Sequence, residues 1–418
     1  MAERPHVVVV GAGFGGIEAA RALRNAEVRV TVIDQRNHHT FQPLLYQVAT
    51  AGLDSDDICY ATRGVFHRQK NARAMQGRVT NVDFEARHVH TEVGEPLPYD
   101  FLVLALGAVT ADFGVDGVAE HAFGLKSAAE AMHIRNHVLR NFERASRSTD
   151  ETEQRAASTI VIAGGGPTGV EMAGGFAELF HRVLRRDFPE LDINLATVVL
   201  VEGQDRLLGT FAPKLGDKAK RRLELMGVDV RLDTQVARVT PHSVEFDDGT
   251  VVPSDTTIWA AGVRAHPLAA SLDVETARGG RVLVDDHLRL RNHQNVFVIG
   301  DLAATELADG TMVPQVAPGA IQGGKHAARM IMASIDGSQV KPFRYRDKGS
   351  MATIGRNAAV VELPNGVRVY GFLGWVAWLS LHLLMLIGFR NRANVLVNWA
   401  WNYLTYDRGS RLIIELDE

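Results

Sequence analysis

The chain has 418 residues, 46% of them hydrophobic and 22% charged, with a net charge of −4 and a single cysteine, Cys59. That length exceeds one ordinary core and calls for two or more domains, and the composition is that of a folded rather than a disordered chain. The mild negative charge gives no general pull towards nucleic acid. One cysteine excludes both a disulfide framework and a redox Cys-x-x-Cys pair. The first apolar run begins within a few residues of the N-terminus, so no signal peptide is expected.

From Pro5 to Asp34 the chain reads strand, glycine turn, helix, strand, acid. Val7–Val10 is an unbroken β-branched run, as a strand buried on both faces needs. Gly11, Gly13 and Gly16 follow in G-x-G-x-x-G spacing. The first permits the tight turn, the second lets backbone N–H groups approach a pyrophosphate, and the third lets the helix pack against the strand. Asp34 ends the next strand 18 residues beyond Gly16, where a carboxylate can take a ribose diol. Residues 35–62 read as a loop with short helical pieces. His38 and His39 lack a third ligand at useful spacing, so they are assigned to surface loop and no metal site is expected. Val79–Phe84 and Val89–Val93 form a hairpin pattern, and Phe101–Ala105 a buried strand that runs into Gly107.

Residues 125–147 have a helical pattern, and Ser148–Arg155 is a polar surface connection. The opening pattern then repeats. Thr159–Ala163 is a strand, Gly164, Gly166 and Gly169 restore the glycine spacing, a helix is expected from about Thr168 to Arg186, and Val198–Val201 ends in Glu202. Two such units imply two nucleotides, one per unit. Short strands follow, with Asp248-Gly249 as a hairpin turn. Thr257–Ala261 runs into Gly262 as 101–105 runs into Gly107, and Val296–Ile299 ends in Gly300-Asp301. A helix over Val316–Met332 and strands near Met351–Ile354 and Ala358–Glu362 precede a hydrophobic C-terminal region.

Gly371–Phe389 would be about 28 Å long as a helix, close to the ~30 Å hydrocarbon core of a bilayer. Beyond it, Asn394, Asn398 and Asn402 form a polar stripe, and Val395, Trp399, Tyr403 and Tyr406 an adjacent apolar-aromatic one. Arg390, Arg392, Arg408 and Arg411 flank them and suit anionic headgroups. Two helices lying in the membrane plane are expected. The rival reading is a buried helix pair at a homodimer interface.

The segments VVVVGAGFGG, LVLALG, VIAGGGPTGVEMAG, TIWAAGV and NVFVIGDLA together resemble the motif set of the two-dinucleotide-binding-domain flavoproteins. FQPLLYQVATAG after the first acid, with no cysteine pair, is similar to type II NADH:quinone oxidoreductases, over nearly the whole chain. The resemblance implies an α/β fold of two Rossmann-like domains, the second inserted in the first, plus a C-terminal membrane-associating α+β region. The implied boundaries are 1–115 with 285–335 for non-covalent FAD, 116–284 for NADH, and 336–418 for the C-terminal region, with amphipathic helices at about 371–405.

For FAD, the resemblance implies Gly11, Gly13, Gly15 and Gly16 at the pyrophosphate, Asp34 at the adenosine ribose and Asp301 at the ribityl chain. Val79, Gly107 and Ala317 are further implied contacts. For NADH it implies Gly164, Gly166, Gly169 and Gly262, with Glu202 on the ribose and opposed to the extra phosphate of NADPH. Glu171, read as first-turn, either complements the helix dipole or serves as a carboxylate near nicotinamide and quinone. Where the family carries A-Q-x-A-x-Q, this chain reads APGAIQ, so Gln322 stands at the second glutamine and Pro318 replaces the first. Gln47, Pro318 and Gln322 are the implied quinone residues, and Glu171 and Gln322 the implied catalytic ones.

The implied reaction passes hydride from NADH to flavin N5 and then two electrons to a membrane quinone, without proton pumping. The setting implied is the cytoplasmic face of the cell membrane, with the protein peripheral and in contact with lipid. Two other classes remain open: a soluble NADH-dependent reductase of a ferredoxin or rubredoxin, and a flavin-binding regulatory protein without turnover.

Overall fold

The computed structural model describes residues 4–307, 310–405 and 408–414. Tyr406, counted above in the aromatic stripe, lies outside the described residues. The chain forms two compact units: Met1–Thr40, Tyr60–Val109 and Val263–Asp347 make the first, and Phe41–Cys59, Thr110–Gly262 and Lys348–Glu418 the second. Along the chain, segments of the second unit interrupt the first. The boundaries differ in three places: 41–59 joins the second unit, the return to the first begins at Val263, and the C-terminal region is part of the second unit.

In the first unit a six-stranded sheet runs Arg289–Leu290, His293–Val298, Phe101–Leu104, His6–Val10, Arg29–Asp34, Ala72–Gln76. His6–Val10 is central, with Val8 opposite both Thr31 and Leu102 in parallel register. A strand flanked on both sides and covered on both faces accounts for the run of valines, all of them buried. Helices Phe14–Ala22 and Ala317–Asp336 pack so closely that a Cβ on Gly324 would lie 2.3 Å from the Gly15 carbonyl oxygen.

In the second unit a five-stranded parallel sheet runs Ala122–Phe123, Thr256–Trp259, Thr159–Ala163, Thr197–Val201, Val228–Arg231. An antiparallel sheet of Ser350–Thr353, Ala359–Glu362 and Arg368–Gly371 stands beside it. The third of these strands, RVYG, is as long as the other two but has no buried residue, so it leaves no apolar run in the sequence. Helix Pro167–Glu178 explains why 41–59 and the C-terminal region belong here. A Cβ on Gly174 would lie 2.8 Å from the Gly355 nitrogen, and one on Gly175 2.8 Å from Thr50 Cγ2. Adjacent glycines thus admit both segments against one helix.

Several local expectations change. Ser148–Arg155 is not simply a connection: Glu151–Ser158 is a helix, capped by the Asp150 side chain on the Thr152 N–H and carrying Glu151 and Glu153 in its first turn. The expected 168–186 helix is α-helical to Glu178 and continues as π-helix over Leu179–Leu184. The apolar run 371–389 breaks near Leu386 into helices Phe372–Met385 and Phe389–Thr405. The first spans roughly 21 Å, and no described helix is long and apolar enough to cross a membrane.

The two stripes on the last helix do not divide into one buried and one exposed face: Asn394 is exposed, whereas Asn398 and Asn402, with Asn391, are held by residues 52–59. Asn391 Nδ2 lies within 3.0 Å of the carbonyl oxygens of Asp56, Asp57 and Cys59. Asn398 Nδ2 donates to Asp57 Oδ2 at 2.8 Å and Asn402 Nδ2 to the Gly52 carbonyl at 2.9 Å. These three asparagines therefore face inward, as donors to backbone carbonyls of 52–59 and to the Asp57 carboxylate. Val395 is fully buried, while Phe389 and Leu404 are 87% and 78% exposed.

Candidate functional site

Each unit carries a glycine cradle at the C-terminal end of its central strand. In the first, Gly11 adopts φ +104, and a Cβ there would meet the Ala105 carbonyl oxygen at 2.4 Å. A Cβ on Gly16 would meet the Gly11 carbonyl oxygen at 1.9 Å, and one on Gly15 would press on Ile299 and the Ala320 carbonyl. Gly13 differs: nothing lies within 4 Å of its Cβ position, and it caps helix Phe14–Ala22 with no side-chain hydrogen bond. That open space in front of uncapped N–H groups fits a pyrophosphate. Gly107, at φ +71, is equally open. Asp34 Oδ2 accepts from the Ala12 N–H at 2.6 Å, and Oδ1 from the Arg36 N–H at 2.8 Å. Each oxygen keeps a lone pair for a ribose hydroxyl.

His39, assigned to surface loop from the sequence, is in fact buried, with Nδ1 2.9 Å from the Ala12 carbonyl oxygen and its ring edge-on to Phe14. Burial holds its pKa below the usual imidazole range. The neutral ring is a prop of the glycine loop. Val79 is buried in strand Val79–Asp83. Asp301 lies in the short Gly300–Leu302 turn, and its carbonyl accepts from Gln315 Nε2 at 3.0 Å. Helix Ala317–Asp336 begins at Ala317 with no side-chain cap. Pro318 occupies its first turn, where a residue without N–H costs the helix nothing. Gln322 is paired both ways with the Arg346 backbone, donating to its carbonyl and accepting from its N–H at 2.9 Å each. Its amide clamps the segment after the helix.

The second cradle repeats the first. Gly164 adopts φ +109 against the Ala260 carbonyl, and a Cβ on Gly169 would meet the Gly164 carbonyl oxygen at 1.8 Å. Gly166 is open, caps helix Pro167–Glu178 without a side-chain bond, and is followed by proline. Glu202 Oε2 accepts from the Gly165 N–H at 2.6 Å, and Oε1 from the Gln204 N–H at 2.9 Å. At Gly262 a Cβ would strike the Phe113 ring at 2.6 Å. Phe113 is exposed and held at φ +55, an aromatic neighbour of this cradle that sequence reading missed.

Glu171 lies beyond the first turn of its helix, which contains no acid, so the dipole reading fails. Its Oε1 accepts from the Thr353 N–H at 3.3 Å. Burial raises its pKa to about 8, offset in part by Thr353 and by the Trp378 indole. The Trp378 N–H has no hydrogen-bond partner of normal geometry. Thr353 and Trp378 also line a cavity with Tyr46, Gln47, Trp375 and Trp399 as aromatic and amide walls. It is also lined by Glu178 and Arg408, an ion pair at 3.1 Å in which Arg408 also donates to the Thr50 carbonyl. Gln47 is therefore at a cavity rather than on a loop surface. Tyr46, Trp378 and Trp399 were missed because the first reads as core and the others as membrane-interface residues.

A family model described as pyridine nucleotide-disulphide oxidoreductase matches residues 5–324, and one described as NDH2 C-terminal domain matches residues 348–406. The type II NADH:quinone oxidoreductase Ndh of Mycobacterium tuberculosis is 40% identical over 99% of this chain and 91% of its own. NdhA of the same organism, also named a type II NADH:quinone oxidoreductase, is 40% identical over 98% and 89%. Among solved structures, NDH2 from Plasmodium falciparum in complex with NADH aligns with a TM-score of 0.91 at 20% identity, covering 99% of this chain and all of that one. The last likeness speaks to the fold.

Proposed function

The chain belongs to the type II NADH:quinone oxidoreductase family, and on that premise we propose that it holds FAD non-covalently in the first unit, oxidises NADH bound in the second, and reduces a membrane quinone at the Tyr46–Trp378 cavity. The observation that carries this reading is the duplicated cradle. Each copy has an open glycine, an uncapped helix start and an acid that both fixes the loop and offers lone pairs to a ribose. Bound FAD supplies the two-electron chemistry between nicotinamide and quinone.

The chain's own residues do the rest. Gly13 and Gly166 admit the pyrophosphates, Asp34 and Glu202 take the adenosine riboses, and Glu202 opposes the additional phosphate of NADPH. Gly11, Gly15 and Gly16, with Gly164 and Gly169, set the loops. Val79, Gly107, Asp301 and Ala317 complete the flavin contacts, and Gly262 is a contact of NADH whose missing side chain makes room for the Phe113 ring. Glu171 carries a proton at neutral pH and is the proton store beside the quinone cavity. Gln47 lines that cavity. Gln322, held by Arg346, supports helix Ala317–Asp336, and Pro318 starts it.

Membrane attachment is peripheral in this reading. Leu373, Leu384, Phe389 and Leu404 are all more than two-thirds exposed on the C-terminal helices. A surface of that kind marks a lipid or protein contact, and its helices suit an in-plane position. We place it at the cytoplasmic face, where NADH is supplied, with no proton translocated. A homodimer through the same helices is the competing use.

The test is spectrophotometric. Purified protein should be yellow, bleach with NADH without oxygen, and regain colour on adding menadione faster than oxygen restores it. Flavin that never bleaches overturns the enzyme reading. Bleached flavin reoxidised by a ferredoxin but not by menadione turns the reading to a soluble reductase.

A further inference from the structure

Trp399, Gln47 and Tyr46 form a directed chain along the wall of the cavity. Trp399 Nε1 is 2.7 Å from Gln47 Oε1, and Gln47 Nε2 is 2.8 Å from the Tyr46 hydroxyl oxygen. An indole nitrogen can only donate, so the amide oxygen is fixed towards Trp399 and the amide NH₂ towards Tyr46. The NH₂ can only donate in turn, so the phenol oxygen is an acceptor there. The Tyr46 O–H hydrogen must point elsewhere, and among the described residues it has no acceptor. Tyr46 is buried apart from the cavity it lines.

We propose that the Tyr46 hydroxyl is the hydrogen-bond donor that receives a quinone carbonyl in this cavity, and that Trp399, acting through Gln47, is the positioning residue that keeps it a donor. The proposal rests on the quinone reading above. Without the Trp399 N–H, Gln47 can turn its amide over, and its oxygen accepts the Tyr46 hydrogen. The donor is then consumed inside the protein. With Trp399 in place that internal bond is closed off, and an unused O–H faces a cavity walled by Trp375, Trp378 and Trp399. Flat aromatic walls with one aimed donor fit a planar ring bearing a carbonyl oxygen. They discriminate against an acceptor of similar shape that has no oxygen to take the bond, because the polar group would then stay unpaired.

The experiment uses the FAD-loaded full chain and menadione as probe. Its dissociation constant from the oxidised enzyme is measured by equilibrium dialysis, with KM and kcat for menadione under saturating NADH. Flavin content and melting temperature check folding. Loss of one such hydrogen bond corresponds to about a tenfold rise in the dissociation constant for Tyr46→Phe. Trp399→Phe, which keeps a ring and loses the N–H, should give a rise of similar size. Gln47→Glu, which offers acceptors to both neighbours, should weaken binding as well. The decisive result is the double variant Tyr46→Phe/Trp399→Phe: it should bind menadione no more weakly than Tyr46→Phe alone, because Trp399 acts only through the hydroxyl. Unchanged binding in Tyr46→Phe, or losses that multiply in the double variant, overturns the proposal. A wild-type enzyme that bleaches with NADH but neither binds nor reduces menadione overturns the quinone reading itself, and this proposal with it.

Discussion

Glu202 accepts the Gly165 N–H at 2.6 Å, so the acid assigned to the NADH ribose is also the clasp of the glycine loop beneath it. Asp34 and Ala12 stand in the same relation, also at 2.6 Å, in the first unit. On the proposed function, ribose recognition and loop geometry are coupled in both cradles. In Glu202→Ala the loop loses an acceptor as the cofactor loses its ribose partner. Hydrogen bonds to a charged group are worth about 1.5–3 kcal/mol, so the KM for NADH should rise roughly ten- to hundredfold. Glu202→Gln keeps one acceptor oxygen and should lose less. It also removes the negative charge, so the preference for NADH over NADPH should narrow. Steady-state kinetics with both nucleotides checks this.

The raised pKa of Glu171 has two consequences of definite sign. Its carboxyl holds a proton up to about pH 8 in the folded protein, so its capacity to supply one is lost as pH rises through that value. Menadione reduction should fall on the alkaline side of about pH 8, and Glu171→Gln should be slower and flat over the same range. The unfolded chain releases this proton near the ordinary value of 4.5. Between about 4.5 and 8 the folded state therefore binds more protons than the unfolded one, and its stability declines as pH rises. Glu171→Gln should reduce that decline, read as melting temperature against pH. An unaltered slope would remove burial of this carboxyl as its cause.

The C-terminal helices cannot be tested cleanly by deletion. Removing Phe389–Thr405 would strip the donors of Asn391, Asn398 and Asn402 from 52–59 and leave buried carbonyls unsatisfied. Substitutions on the exposed face avoid this. Burying a large apolar side chain is worth about 1.5–3 kcal/mol, so Leu384→Glu or Leu404→Glu should each weaken binding to phospholipid vesicles roughly tenfold or more, with flavin content retained. If vesicle flotation is unchanged while a dimer in solution dissociates, the face is a subunit contact.

Gln322 offers a contrast between two roles. Both ends of its amide are paired with the Arg346 backbone. Gln322→Ala should therefore lower stability by about 1–2 kcal/mol through the lost pair, seen in urea unfolding. The KM for menadione should move less than it does in Tyr46→Phe. The opposite ranking would make Gln322 a direct quinone ligand.

Much of the dinucleotide machinery could be read directly from residue order. Gly11, Gly13, Gly16 and Asp34, and their counterparts Gly164, Gly166, Gly169 and Glu202, are local: a strand, its turn and the next helix are contiguous, and the acid follows one strand later. Backbone conformation there is dictated by sterics at single residues, so spacing alone specifies it. His39 shows where this stops. It is three-dimensional contact with Ala12 and Phe14 that makes it a buried prop, and nothing in His-His between polar neighbours signals it.

By itself, then, the sequence determined two glycine cradles, the acids that clasp them and an apolar C-terminal end. Tertiary structure alone decided which way that end faces and what it builds. Asn391 and Asn402 turn inward to carbonyls of 52–59, more than 330 positions away for Asn391 and Asp56, and Asn398 to the Asp57 carboxylate. That pairing brings Trp399 to Gln47 and fixes the Tyr46 hydroxyl. Helical periodicity identifies the faces of such a helix, but the acceptors it meets decide which face is buried.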